Sequence, residues 1–146
     1  MTDSPRKRKV LFLCTSNACR SQMAEGWARH LKADSIEAHS AGIAPGRLDP
    51  RAVQVMAEAG VDISAQRPKH VDELAGMAFD CVVTVCDHAR EHCPVFPGRT
   101  KMVHAGFDDP PHLAAGAANA TEALAPYRRV RDEIRALVES LPDSPG

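Results

Sequence analysis

The sequence predicts an α/β sandwich around a parallel sheet, on three observations. Apolar runs of the buried-strand type occur at Val10–Leu13 and Val82–Val85. Segments with helical apolar spacing stand between and after them. Gly, Pro and Asp punctuation separates the two kinds of segment. Strands that alternate with helices in this way form a parallel sheet covered by helices.

The elements follow in order. Residues 1–8 are polar and basic, a solvated tail or, in a sharper reading, a polyanion-binding arm built on Arg6-Lys7-Arg8. A first strand covers about 9–14. A helix from about 21 to 33 carries Met23, Trp27 and Leu31 on one face. Ile36 to Ser40 alternates weakly and reads as a second strand. Asp49-Pro50 supplies an N-cap followed by proline at the first helical position. The helix it opens runs from about 50 to 59, with Val53, Met56 and Ala57 inward and Gly60 as its stop. A short helix is expected over Val71 to Ala75. Phe79 to Cys86 reads as a buried strand, with Cys81 packed in the core beside Val83 and Val85. Lys101 to His104 gives the fourth strand. Gly106 to Pro111 is turn-rich, and Ala114 to Asn119 is a patternless linker. A final helix from about Thr121 to Leu141 has an apolar stripe of Val130, Ile134, Leu137, Val138 and Leu141, with Pro126 expected to restart it.

Composition bounds the function. The chain has 146 residues, 44% hydrophobic and 25% charged, which fits a single domain over 1–146. Residues 1–8 and 142–146 are expected to be flexible. A net charge of -1 gives no pull toward nucleic acid or membrane. No apolar run approaches about 18 residues, and the start lacks a signal-peptide pattern, so the expected location is the cytoplasm. The five cysteines (14, 19, 81, 86 and 93) then read as catalytic, redox or metal-binding rather than as structural disulfides. The chain is expected to act as a monomer.

The chemistry concentrates between the first strand and the first helix, in Cys14-Thr15-Ser16-Asn17-Ala18-Cys19-Arg20-Ser21. A loop of small and polar residues there can turn its backbone N–H groups inward beside a helix N-terminus, which makes an anion site. Those N–H groups and the Arg20 guanidinium favour a thiolate at Cys14. The same donors, Thr15 to Cys19 and Arg20, would hold a tetrahedral oxyanion, Arg20 gripping two oxygens. The pattern predicts a cysteine nucleophile attacking the central atom of a bound oxyanion. The competing reading is a buried Cys14 and an exposed Arg20 that never meet. Ligands of parallel sheets bind at the carboxyl ends of strands, and Cys14, Cys86 and Asp109 all fall there.

Cys86 and Cys93 stand seven residues apart across a polar segment. If that segment is helical, they sit about 10.5 Å apart along the axis. A disulfide needs Cα atoms within about 7 Å. A bond between them therefore requires the segment to uncoil, which describes a redox switch. Two other readings stay open: a metal set of Cys86, His88, His92 and Cys93, and structural burial of both thiols.

The Cys14 loop, the Cys86/Cys93 pair and Asp109-Pro110 together resemble the thioredoxin-coupled arsenate reductases, which share the low-molecular-weight tyrosine phosphatase fold. The resemblance runs from Val10 to about Leu141 and is particularly close over Cys14–Trp27, Ser40–Gly42, Val82–Cys86, Gly106–Pro110 and Arg129–Ile134. It implies a three-layer sandwich with a four-stranded parallel sheet, no tightly bound cofactor or metal, and a three-thiol relay. Cys14 attacks arsenate, Ser21 hydrogen-bonds its thiolate, and Asp109 rather than Asp108 protonates the departing oxygen. Cys86 then attacks Cys14, Cys93 attacks Cys86, and thioredoxin reduces the resulting disulfide; a glutaredoxin or a small thiol would meet the same need. Some members of the family bind potassium through residues matching Asn17, Glu25, Ser40 and an aspartate. Lys69 stands at the aspartate's position, so its ammonium is expected in place of the ion, against Glu25.

Two rivals remain. A tyrosine phosphatase would need Cys14, Arg20 and Asp109 but neither Cys86 nor Cys93. Phosphatases of this fold place aromatic residues after the Asp-Pro, where this chain has Pro111-His112-Leu113. A non-enzymatic arsenic- or metal-binding protein would use the Cys86 to Cys93 set and leave Cys14 and Arg20 without a role.

Overall fold

The computed structural model describes residues 7–141. Of the polar and basic segment expected at 1–8, residues 1–6 lie outside the described residues, as does the tail at 142–146; Lys7 is exposed and Arg8 already opens the first strand. In order, the elements are β1 (Arg8–Cys14), α1 (Arg20–Leu31), β2 (Ile36–Gly42), α2 (Pro50–Glu58), a 3-10 turn (Val71–Leu74), β3 (Cys81–Thr84), α3 (Asp87–His92), β4 (Lys101–His104), α4 (Pro110–Ala114) and α5 (Ala120–Ser140). The four strands form one parallel sheet in the order β2-β1-β3-β4. β1 is therefore central. Its run from Val10 to Cys14 is at most 1% exposed, although successive side chains point to opposite faces. Both faces of the sheet are covered, as a continuous apolar strand demands.

α1 packs on β1 and β2, and α5 lies along α1. The inward faces of these helices supply Met23, Trp27, Tyr127, Val130, Ile134 and Val138. Trp27 keeps its indole N–H satisfied by the Arg131 carbonyl at 3.0 Å. Fully burying aromatics of this size is worth about 1.5–3 kcal/mol each. Gly26 allows α1 to approach the segment after α2: a Cβ there would stand 2.5 Å from Ile63.

Several expectations shift. α2 opens on Asp49, whose carboxylate accepts from the Arg51 N–H at 2.9 Å, and its inward stripe is Ala52, Val55 and Met56. Ala57 faces solvent and Val53 is half-buried, one step round the helix from the expected face. The β3 ladder is confined to Cys81–Thr84, because that is where β4 pairs with it. Cys81 sits at the rim of the core, half-buried rather than enclosed. The turn-rich segment hides α4, too short for periodicity to reveal. α5 runs uninterrupted through Pro126, with its inward residues Ala123, Tyr127 and Val130 packed on both sides of the proline. Tertiary packing outweighs the lost backbone bond.

Candidate active site

β1 ends at Cys14 and α1 begins at Arg20, leaving Thr15 to Cys19 as the connecting loop. The carbonyls of Thr15, Ser16, Asn17 and Ala18 are engaged outward, by Ala44 N–H, Gly46 N–H, the Gln22 side-chain amide and Asp49 N–H respectively. A trans peptide plane places its N–H opposite its carbonyl, so the N–H groups that follow turn inward. Asn17 shows the result: its N–H points at Cys14 Sγ, 3.2 Å away. Asn17 has a positive φ of 52°, which asparagine tolerates better than most residues. Its side chain locks the turn, Nδ2 donating to Ser21 Oγ at 2.7 Å and Oδ1 accepting from Lys69 N–H at 3.0 Å. Ser21 Oγ lies 2.8 Å from Cys14 Sγ. Since that oxygen already accepts from Asn17, its own proton is free for the sulfur. Gly42 completes the cradle, for a Cβ there would stand 2.7 Å from the Thr15 carbonyl and 2.9 Å from Asn17 N.

Cys14 is 1% exposed, and burial pushes its thiol up; Ser21, the Asn17 N–H and the Arg20 charge pull it down. The sequence has the donors prevailing, whereas in the structure burial is the largest influence and the net shift is upward. Arg20 is anchored across the site. Its Nη1 donates to the Phe107 carbonyl at 3.0 Å, and its Nη2 stands 3.8 Å from Asp109 Oδ1. The guanidinium thus ties the loop to the segment that carries Asp109. Asp109 precedes Pro110 at the start of α4 and makes no side-chain cap, while Asp108 is held 2.9 Å from Arg129. The carboxylate next to Arg20 is therefore that of Asp109. Cys19 is buried, and burial followed by the Asp49 charge drives its thiol well up. A brace outside the loop, Tyr127 Oη donating to Asp49 Oδ2 at 2.5 Å, supports the residue that holds the Ala18 carbonyl.

Cys86 leaves β3 and becomes the N-cap of α3, its Sγ accepting from Ala89 N–H at 3.4 Å. Thr15 Oγ1 stands 3.3 Å from that sulfur and 3.2 Å from His88 Nδ1. The Thr15 hydroxyl thus faces the second cysteine rather than the anion loop's centre. Cys93 ends α3, half-buried, with its thiol on the Pro94 carbonyl at 3.4 Å, and burial pushes it up. Beside it opens a cleft of about 390 Å³ lined by Arg90, Cys93, Val95, Phe96 and Met102. Val95 is 95% exposed there. All five cysteines are free thiols. Among the described residues, no three or more His, Cys, Asp or Glu side chains converge to hold a metal ion, the Cys86 to Cys93 set included.

The potassium-type donor set does not fit an ion here. Lys69 Nζ donates to the Ser40 carbonyl at 2.9 Å. Glu25 is taken by Ser40 Oγ at 2.5 Å and by Arg29 at 2.8 Å. Lys69 is thus bound to Ser40 rather than directly to Glu25; burial lowers its ammonium and the Glu25 charge opposes that. No sequence signal marks Lys69 as also holding Asn17 through its backbone N–H. Nor did it bring out His88 as a neighbour of Thr15, beyond its place two residues after Cys86.

The sequence pattern of the low molecular weight phosphotyrosine protein phosphatases matches residues 9–144. The arsenate reductase of Halalkalibacterium halodurans is 45% identical over 128 residues, 88% of this chain and 90% of that protein. The chain belongs to the arsenate reductases of the low-molecular-weight phosphatase family. Among solved structures, an arsenate reductase in the phosphate binding state superposes with a TM-score of 0.73 at 31% identity, covering 92% of this chain and 95% of that one. The thioredoxin-dependent arsenate reductase of Corynebacterium glutamicum gives a TM-score of 0.67 at 25% identity, over 95% of this chain and 62% of that one. No helix of the described residues is long and apolar enough to cross a membrane.

Proposed function

We propose that this member reduces arsenate to arsenite through Cys14, Cys86 and Cys93, with thioredoxin as the electron donor and the cytoplasm as its location. One observation carries the reading: Cys86 abuts the anion loop through Thr15, 3.3 Å from its hydroxyl. A phosphatase has no use for a second thiol there. In the first step Cys14 passes its thiol proton to an oxygen of the bound arsenate dianion, its Sγ forms a bond to arsenic and an As–O bond breaks. Asp109 gives the departing oxygen a proton and it leaves as water. Loop N–H groups and Arg20 hold the remaining oxygens. In the second step the Cys86 thiolate attacks Cys14 Sγ. The S–S bond forms, the S–As bond breaks, and arsenic keeps the electron pair, so As(V) leaves as As(III). Cys93 then attacks Cys86, freeing Cys14 and moving the disulfide to Cys86–Cys93.

The relative from Corynebacterium glutamicum supports a thioredoxin donor, and so does the apolar rim of Val95 and Met102 beside Cys93. A protein donor can cover such a rim, while a small thiol gains nothing from it. The same loop, Arg20 and Asp109 suffice for slow hydrolysis of small phosphate esters.

The test is a coupled assay with arsenate, thioredoxin, thioredoxin reductase and NADPH. Arsenate-dependent, multiple-turnover NADPH loss that vanishes in Cys86→Ser is the expected result. Release of phosphate from an aryl phosphate without NADPH loss would replace the reading with a phosphatase. Asp109→Ala is expected to lower kcat by about 10²-fold or more with a smaller change in KM, the signature of a lost general acid. An effect confined to KM would leave Asp109 with a binding role only.

A further inference from the structure

The relay requires Cys86 to give up a proton before it can attack, and a neighbouring pair is placed to take it. Thr15 Oγ1 lies between Cys86 Sγ at 3.3 Å and His88 Nδ1 at 3.2 Å. A hydroxyl has one proton to give and lone pairs to accept with. If His88 Nδ1 is the unprotonated nitrogen, Thr15 donates to it and accepts from the Cys86 S–H. The three atoms then form a directed chain from thiol to imidazole. We propose that His88, acting through Thr15, is the proton acceptor that activates Cys86 for its attack on Cys14; the proposal rests on the arsenate reductase reading above.

The transfer balances. Thr15 passes its proton to His88 Nδ1 and takes the Cys86 proton in return. The Cys86 thiolate forms the S–S bond to Cys14, the S–As bond breaks, and arsenic is reduced by the two electrons that it retains. His88 is exposed, so its imidazolium returns the proton to solvent. The Ala89 N–H on Cys86 Sγ, 3.4 Å away, steadies the charge as it forms. The ring of His92 stacks on His88 at 4.3 Å between centroids, its Nδ1 bonded to the His88 carbonyl at 2.9 Å. The other titratable groups at this end of the helix contact one another, Asp87 with His104 at 3.1 Å and with Arg90 at 3.8 Å. From the loop after β1 the facing group is Thr15. His88 is a positioning and proton-accepting group here; it does not touch arsenate.

The experiment uses the Cys93→Ser protein, in which the reaction stops at the Cys14–Cys86 disulfide. Two readouts are followed from pH 5.5 to 9.5: the rate of the single arsenite release, and iodoacetamide alkylation of Cys86 without arsenate, measured on its peptide. Adding His88→Asn is expected to move the rising limb of both profiles to higher pH. Both rates should fall about tenfold near neutrality and converge with the parent at the alkaline end, where the thiol ionises unaided. Thr15→Val should reproduce the shift and Thr15→Ser should not. A uniform fall at every pH would mark a structural role and overturn the proposal, as would an unchanged alkylation profile. A parent protein that releases no arsenite would instead overturn the reductase reading, and the alkylation profile would still decide the role of His88.

Discussion

Cys14→Ser is expected to reduce arsenate-dependent NADPH oxidation by at least about 10³-fold, the scale on which losing a nucleophile acts. Two independent reasons give the size. A serine hydroxyl is a weaker nucleophile than sulfur and has no neighbouring base in the loop, where the facing groups are Ser21 and the Asn17 N–H. More decisively, in the proposed relay arsenic is reduced as two sulfurs are oxidised to a disulfide, and an oxygen at position 14 cannot form that bond with Cys86. The substitution leaves the architecture alone. Serine is slightly smaller, keeps a hydrogen-bonding atom where Ser21 and Asn17 already point, and sits on a strand buried on both faces. Calorimetric titration with inorganic phosphate should therefore show an oxyanion loop that still binds. Turnover retained in Cys14→Ser would remove Cys14 from the chemistry. Loss of both turnover and phosphate binding would show the thiol to be holding the loop's shape.

The parts of this fold that were legible in the sequence are those where local and global signals agree. Val10 to Cys14 is a continuous apolar run and proves to be the central strand. Asp49-Pro50 and Gly60 bound a helix, and Gly60 adopts the positive φ, 85°, that its place as a stop implies. Where signals conflicted, tertiary packing won. Pro126 lies inside α5 because Tyr127 and Val130 are held against the core, and Ala57 turned outward because Val55 and Met56 are the larger apolar groups. The site was legible as a spacing, a cysteine, five residues and an arginine followed by serine. Its electrostatics were not, because the pull of donors on Cys14 can be listed from a sequence but the depth of burial that opposes it cannot. The contacts Lys69 N–H to Asn17 and His88 to Thr15 join residues 52 and 73 positions apart, and only the sheet order brings them together.

Cys93→Ser is expected to release one arsenite per protein and then stop, with no sustained NADPH oxidation by thioredoxin. In the proposed relay the first disulfide joins Cys14 and Cys86, which are 1% and 7% exposed. A protein dithiol cannot bring its own sulfur in line with a bond at that depth. Cys93 is half-buried beside an open cleft, so transfer to Cys86–Cys93 carries the oxidation outward. That transfer needs α3 to uncoil, because the helical rise holds the two cysteines about 10.5 Å apart. The helix is built to allow it. It has six residues, of which only Ala89 is buried. The polar contacts at its start, Asp87 with His104 and with Arg90, involve an Asp87 side chain that is 74% exposed, and such contacts add little, about 0–1 kcal/mol. Segments with so few buried contacts open at a small fraction of the global stability. In the variant, the trapped Cys14–Cys86 disulfide should be found by peptide mapping. A small phosphine reductant should restore slow cycling where thioredoxin does not. If Cys93→Ser cycles with thioredoxin at the parent rate, the buried disulfide is itself the donor's target, and α3 has no part in the reaction.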